Sequence, residues 1–143
     1  EALRQNLSRL IVGEVRGGEA GAMFEAMTAG AGTLSTTHSH SAASTIDRLA
    51  SRVAQGGVLS VEEAYRQIAH HIHLLIHVRL VDDTWRGGGR TRTVAEIRQL
   101  TGGLENGRPV THLAFREGDG EHWFGPDAEL LAELARFTVA WEA

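Results

Sequence analysis

Residues 9–53 alternate short apolar runs with glycine-punctuated helical stretches, and that order leaves few folds open. Arg9-Leu10-Ile11-Val12-Gly13-Glu14-Val15 is a β-branched apolar run ending in charge and glycine, the pattern of a buried strand. Gly17-Gly18 breaks it. Residues 19–29 then place Ala20, Met23, Phe24 and Met27 at helical spacing, and Gly30 and Gly32 close that helix. Thr33-Leu34-Ser35-Thr36-Thr37 reads as a second strand, running into the polar loop His38-Ser39-His40-Ser41. Ala42 to Val53 is a helix with Ile46, Leu49 and Val53 on one face, stopped by Gln55-Gly56-Gly57. Strand, helix, strand, helix in succession predicts parallel strands with helices packed on them.

The pattern then changes. Ser60 with Glu63 three residues on predicts a capping box and a helix through Ile72. Leu74 to Leu80 is a strand, residues 82–90 are a turn, and 91–100 and 109–116 read as an antiparallel pair around Gly102–Gly107. Residues 73 to about 118 are therefore expected as antiparallel edge strands. Pro126-Asp127 leads into an amphipathic helix of residues 127–141, carrying Leu130, Leu131, Leu134, Phe137 and Trp141. The 143 residues suffice for one α/β domain, and no repeat or low-complexity linker divides them.

What the chain lacks narrows its chemistry. A formal net charge of −4 excludes a general basic nucleic-acid surface. Without cysteine there is no disulfide framework, thiolate metal site or thiol nucleophile. All 14 basic residues apart from histidine are Arg, so neither a Schiff base nor a G-x-x-x-x-G-K-[ST] phosphate loop is encoded in these residues. No apolar run reaches the roughly 18–20 residues of a membrane span, and Glu1-Ala2-Leu3-Arg4-Gln5 is not a signal peptide. The expected compartment is the cytoplasm.

Two strand ends carry candidate chemistry. Glu14 stands at the carboxyl end of the first strand, where open α/β sheets bind ligands. Gly13 beside it leaves room for a ligand or water to approach, and Arg16 falls on the same side if the strand continues. An acid that orients water and an Arg that balances phosphate charge suit phosphoryl transfer. A solvated Glu–Arg pair is the other reading. Ser35-Thr36-Thr37-His38-Ser39-His40 ends the second strand on the same sheet edge. Its hydroxyls and imidazole can bond a phosphate oxygen or position water. A polar turn in which a serine caps the next helix is the alternative.

Three further features point away from chemistry. His70, His71, His73 and His77 suggest a metal centre, but His73 and His77 share a face only in a helix where Leu74–Leu80 reads as strand, and in a strand His71, His73 and His77 share a face without converging on one point, so no metal is expected. Gly102-Gly103-Leu104-Glu105-Asn106-Gly107 is no dinucleotide fingerprint, because it lacks G-x-G-x-x-G and lies between strands. Trp85, Trp123 and Trp141 are scattered and read as packing or interface residues.

Ala2-Leu3-Arg4 followed by Arg9–Ala20 resembles the Walker B region of the secretion ATPase superfamily (GspE-like), whose members drive type II and type IV secretion and pilus assembly. Thr28-Ala29-Gly30 followed by Ser35-Thr36-Thr37-His38 resembles that family's His box. Asp47-Arg48-Leu49, Ile68-Ala69, Ile72–Leu80 and Arg92–Leu100 continue the likeness in order, over about residues 1–116. The subgroup it looks most like is the CpaF/TadA type, which powers Flp (Tad) pilus assembly. The resemblance implies an α/β, RecA-like P-loop NTPase core, here incomplete, with antiparallel edge strands and a C-terminal helix. It also implies ATP and Mg²⁺ in the intact protein, a hexameric ring, inner-membrane platform proteins as partners, no nucleic acid, and a peripheral position at the inner face of the membrane.

Residue by residue, the resemblance makes Glu14 the Walker B acid, Arg16 a phosphate or neighbouring-subunit contact, and His38 the His-box imidazole near the γ-phosphate. Thr37 would be a nucleotide-binding hydroxyl. The chain departs from the family at His38-Ser39-His40, where His-Ala-Asn is usual, and at Ala31, where a His often stands. The Walker A loop and Asp box, upstream in family members, are missing. The whole of residues 1–143 is thus expected to be the C-terminal portion of an ATPase domain, with no nucleotide bound and no turnover by this chain alone. A short, degenerate, non-catalytic interaction module on the same fold is the alternative. Lost strands would also leave an apolar edge that favours self-association.

Overall fold

The computed structural model describes residues 9–16, 20–28, 32–57 and 59–118. The expected helix 127–141 lies outside the described residues, as do the Gly17-Gly18 and Gly30 breaks.

Strand β1 (Arg9–Val12) pairs in parallel with β2 (Gly32–Ser35), with Ile11 opposite Leu34 and Val12 opposite Ser35. Helix α1 (Ala20–Thr28) makes the crossover and buries Ala20, Met23, Phe24 and Ala26, with Met27 against the same core. Helix α2 (Ala42–Gln55) buries Ile46, Leu49 and Val53, as its spacing predicts. Both strands end earlier than their sequences suggest. The regular ladder stops at Val12 and Ser35, yet the two chains stay side by side beyond it, with the Val15 amide donating to the Thr36 carbonyl at 2.8 Å.

Helix α3 (Val61–His71) is capped by Ser60, whose side chain accepts from the Glu63 amide at 3.1 Å. The expected box is only half formed. The Glu63 carboxylate turns along the helix to Arg66 and Gln67 instead of back to the cap. The reciprocal box belongs to α2, between Ser41 and Ser44.

Strands β3 (Leu74–Asp82), β4 (Arg90–Glu105) and β5 (Arg108–Arg116) form an antiparallel sheet in the order β3-β4-β5. Among the described residues this sheet is separate from the β1–β2 pair rather than an extension of its edge. The turn expected over Gly102–Gly107 is tighter than predicted. Strand β4 runs on to Glu105, which pairs with Arg108. Asn106 and Gly107 have φ of 50° and 79°, the left-handed pair that a two-residue hairpin turn needs. Gly102, at φ 78°, lies in the irregularity between Leu100 and Leu104 where the register shifts.

One core joins these parts. Met23, Leu49, Val53, Ala64, Ile68, Leu75 and Leu100 are buried together, so α2 and α3 hold the antiparallel sheet to the α1 side. A polar clamp locks the junction from outside. Asp47 on α2 accepts from the Tyr65 hydroxyl of α3 at 2.8 Å and from Arg108 at the start of β5. Burial and that hydrogen bond to Asp47 raise the Tyr65 pKa above the ordinary phenol value. Nothing in the local sequence marks this clamp, because its members are far apart in the chain.

Candidate active site

Beyond Val12 the backbone bends at Gly13, and the strand's side-chain alternation slips there: Val12 packs against the core, and so does Val15 three residues on. Val15 is 1% exposed and anchors the segment in the core. Glu14 and Arg16, on either side of it, therefore point away from the core together. No atom lies within 4 Å of where a Gly13 Cβ would stand, so the space beside Glu14 is open.

The second strand end is tied to the first by hydroxyls. Thr36 Oγ1 donates to the Gly13 carbonyl, and Thr37 Oγ1 donates to the Val15 carbonyl at 3.0 Å. These bonds satisfy carbonyls that the ladder has left unpaired, and they fix the chain just before His38. Ser41 then caps α2 and ends the loop, with Ser39 and Ser44 hydroxyls 2.8 Å apart beneath it. The polar-turn reading and the reactive-loop reading thus describe one segment, since the serines build the turn that presents the imidazole.

The result is a triad across two strand ends. Glu14 Oε1 lies 3.2 Å from His38 Nε2, and Glu14 Oε2 lies 2.6 Å from an Arg16 guanidinium nitrogen. The Glu14 side chain is 24% exposed, against 84% for His38, so the carboxylate sits below an accessible ring. The hydrogen bond from Arg16 holds the Glu14 carboxyl below the ordinary carboxylate range. Partial burial opposes that shift, and the charge of Arg16, then His38, then Arg52 of α2, reinforces it. Near neutral pH Glu14 is therefore an acceptor only. Such a group can orient a water or share in a cation's hydration shell; it cannot serve as an acid.

Glu14, Arg16 and His38 are thus brought together, while Thr37 is spent inward: its single hydroxyl proton goes to Val15. His40 is exposed and lies outside the triad. Arg52 is a residue the sequence reading missed; it lies 38 residues beyond Glu14, and only the fold brings its charge to bear. His70 and His71 end α3, His73 is in the connection and His77 is on β3. Among the described residues no group of three His, Asp or Glu side chains converges on a metal position.

The profile of the family described as "Type II/IV secretion system protein" matches residues 1–103. The chain belongs to that family. An uncharacterized protein of Methanocaldococcus jannaschii is 32% identical over 138 residues, covering 95% of this chain and 47% of the relative. Among solved structures, the VirB11 ATPase of the Brucella suis type IV secretion system, in complex with sulphate, matches 64% of this chain and 28% of its own. That match has a TM-score of 0.53 at 28% identity, which places the mixed α/β fold of the secretion family member beside that of an ATPase. The chain spans about half the length of its curated relative and under a third of the solved one. No described helix is long and apolar enough to cross a membrane.

Proposed function

We propose that this secretion-family chain carries the Walker B and His-box half of an ATPase site, and that the longer protein couples ATP hydrolysis to secretion or pilus assembly. The observation that supports it most is the division of the Glu14 carboxylate between His38 and Arg16 at neighbouring parallel strand ends. The donor set suits the water-and-γ-phosphate end of such a site: an ionised acceptor, an exposed imidazole and a guanidinium. It does not suit the β- and γ-phosphate cradle, which needs a backbone nest and a lysine, and the chain has no lysine.

When bound, MgATP supplies the phosphoryl group. Glu14 then accepts a hydrogen bond from the attacking water and holds it in line. His38 reaches the phosphate side from its exposed position and ties nucleotide state to the α2 loop. Arg16 neutralises developing negative charge, in its own subunit or at a ring neighbour. Thr37 acts by positioning His38, because its proton is committed to Val15. The CpaF/TadA-type (Tad/Flp) assignment, a hexameric ring and inner-membrane platform partners belong to this proposal, as does a peripheral place at the cytoplasmic face.

The test is calorimetry with ATP and Mg²⁺ on this chain and on a version extended upstream to include any phosphate loop. Binding by the extended version alone supports the reading. Binding by neither overturns it in favour of a non-catalytic scaffold. Turnover by the present chain that disappears in Glu14→Gln would show that the site is complete without a lysine loop.

A further inference from the structure

The β3–β4 hairpin reaches past the rest of the described structure. Strand β5 accompanies β4 only from Glu96 onward, so residues 78–82 and 90–94 have only each other as ladder partners. Ile76, Val78 and Leu80 leave one face of the sheet bare and apolar among the described residues. From Arg79 to Arg92 no residue is buried. A two-stranded ribbon is marginal by itself, and this one is stiffened by polar bonds at its tip. The Asp82 carboxylate accepts from the Thr84 amide at 3.1 Å and from Arg90 at 2.7 Å. The Asp83 amide donates to the Gly89 carbonyl at 3.1 Å, and the Asp83 carbonyl accepts from Gly88 at 2.9 Å. Gly88 sits so close that a Cβ there would lie 2.8 Å from the Asp83 Cβ.

This fixed tip holds out an aromatic ring and cations. Trp85, in the helical turn Thr84–Arg86, is 73% exposed. The Arg86 guanidinium lies 4.2 Å from the centre of its ring. Arg79 is paired with Glu117 and Arg90 with Asp82, while Arg86 and Arg92 form no ion pair among the described residues. Residues 79–92 hold four Arg against two Asp, on a chain whose net charge is −4. That segregation turns the tip toward an anionic surface and the rest of the chain away from it. A convex tip offers a folded partner little of the roughly 800 Å² a side that a stable interface takes. A fluid leaflet closes around such a tip. Trp with a neighbouring Arg suits its headgroup level, the ring at the apolar boundary and the guanidinium on phosphate.

We infer that the tip of the β3–β4 hairpin is a membrane contact, with Trp85 entering the headgroup region of an anionic leaflet and Arg86 and Arg92 on lipid phosphates. The inference rests on the peripheral place proposed above and assigns it to one element. Because the tip is already ordered, little conformational freedom is lost when it docks.

The test is flotation of the full 143-residue chain with vesicles of one part phosphatidylglycerol to three parts phosphatidylcholine, beside vesicles of phosphatidylcholine alone. Preferential binding to the anionic vesicles is expected. Arg86→Gln and Arg92→Gln should each weaken it about fivefold, the scale of one cation at a charged leaflet. Trp85→Ala should weaken it about tenfold or more. Arg66→Gln, the same charge change on α3, should leave it nearly unchanged. Quenching by brominated lipid reads the contact directly. It should occur in the parent chain and fall in Trp85→Phe, which removes the tip indole and leaves the other two tryptophans. If Trp85→Ala loses the parent's circular dichroism, Trp85→Phe and the two Arg variants decide. Binding that the tip variants leave intact, or quenching unchanged in Trp85→Phe, would overturn the assignment and put the contact elsewhere. No binding by the parent would overturn it in favour of a protein partner for the tip. Nucleotide binding by the upstream-extended version, which the tip variants should not alter, decides the ATPase reading separately.

Discussion

Glu14 and His38 stand 3.2 Å apart, although they are 24 positions apart in the chain with a helix between them. Their contact is set by backbone tied across two strand ends, through Val15 to Thr36 and Thr37 to Val15. The same ties hold Arg16 on the other carboxylate oxygen.

In the nucleotide-competent longer protein, Glu14→Gln should lower ATP turnover by about 10²-fold or more, the scale at which positioned proton-accepting groups act. Nucleotide affinity should change little, because the phosphate cradle is elsewhere. A parallel loss of binding and turnover, seen by calorimetry beside a steady-state assay, would count against the Walker B role.

Thr37→Val keeps the shape of the side chain and removes its bond to the Val15 carbonyl. The expected cost is about 1 kcal/mol of stability, the net worth of one such bond. The ring protons of His38 should shift in NMR as the imidazole loses its fixed place over Glu14. Unperturbed His38 signals would show that Thr37 does not position it.

Ile68 is fully buried where α3 meets the sheet and the α1 side. Ile68→Ala should cost about 2–5 kcal/mol, transfer and cavity terms together. Urea unfolding measures this directly. A cost below about 1 kcal/mol would mean that the parts do not share one core.

Acid should weaken the fold. Glu14, Glu62, Glu63 and Asp82 are all held below their ordinary pKa by hydrogen bonds, from Arg16 for Glu14, a backbone amide and Ser60 for Glu62, Gln67 and Arg66 for Glu63, and Thr84 and Arg90 for Asp82. A carboxylate with a depressed folded pKa stabilises fully above its unfolded pKa, at roughly pH 4, and loses that contribution as pH falls through the folded value. These groups are open to solvent, so salt screens them and the loss is modest. Urea midpoints should be flat from pH 7 to 5 and fall between pH 4 and 2. A midpoint that rose on acidification would reverse the sign.

The helices were readable because periodicity is local. Met23 and Phe24 on α1 and Ile46, Leu49 and Val53 on α2 are buried where their spacing put them. The hairpin turn was readable too, and its signal was Asn106-Gly107 rather than the whole run from Gly102. The Ser60–Glu63 motif overstated its local pattern. Glu63 had competing partners one turn on, Arg66 and Gln67, and a carboxylate takes the nearer donors.

By itself the sequence determined the parallel crossover of β1, α1 and β2, the identity of the strand-end residues, and the lack of a lysine loop. These depend on residue type and on spacing within one or two turns of chain. Tertiary structure decided that Glu14 meets His38, that Arg52 joins their field, that Asp47 clamps Tyr65 and Arg108, and that the antiparallel strands form their own sheet with a bare apolar face. Those relations link residues tens of positions apart. The same local pattern is compatible with many long-range pairings, and only burial of the shared core selects one of them.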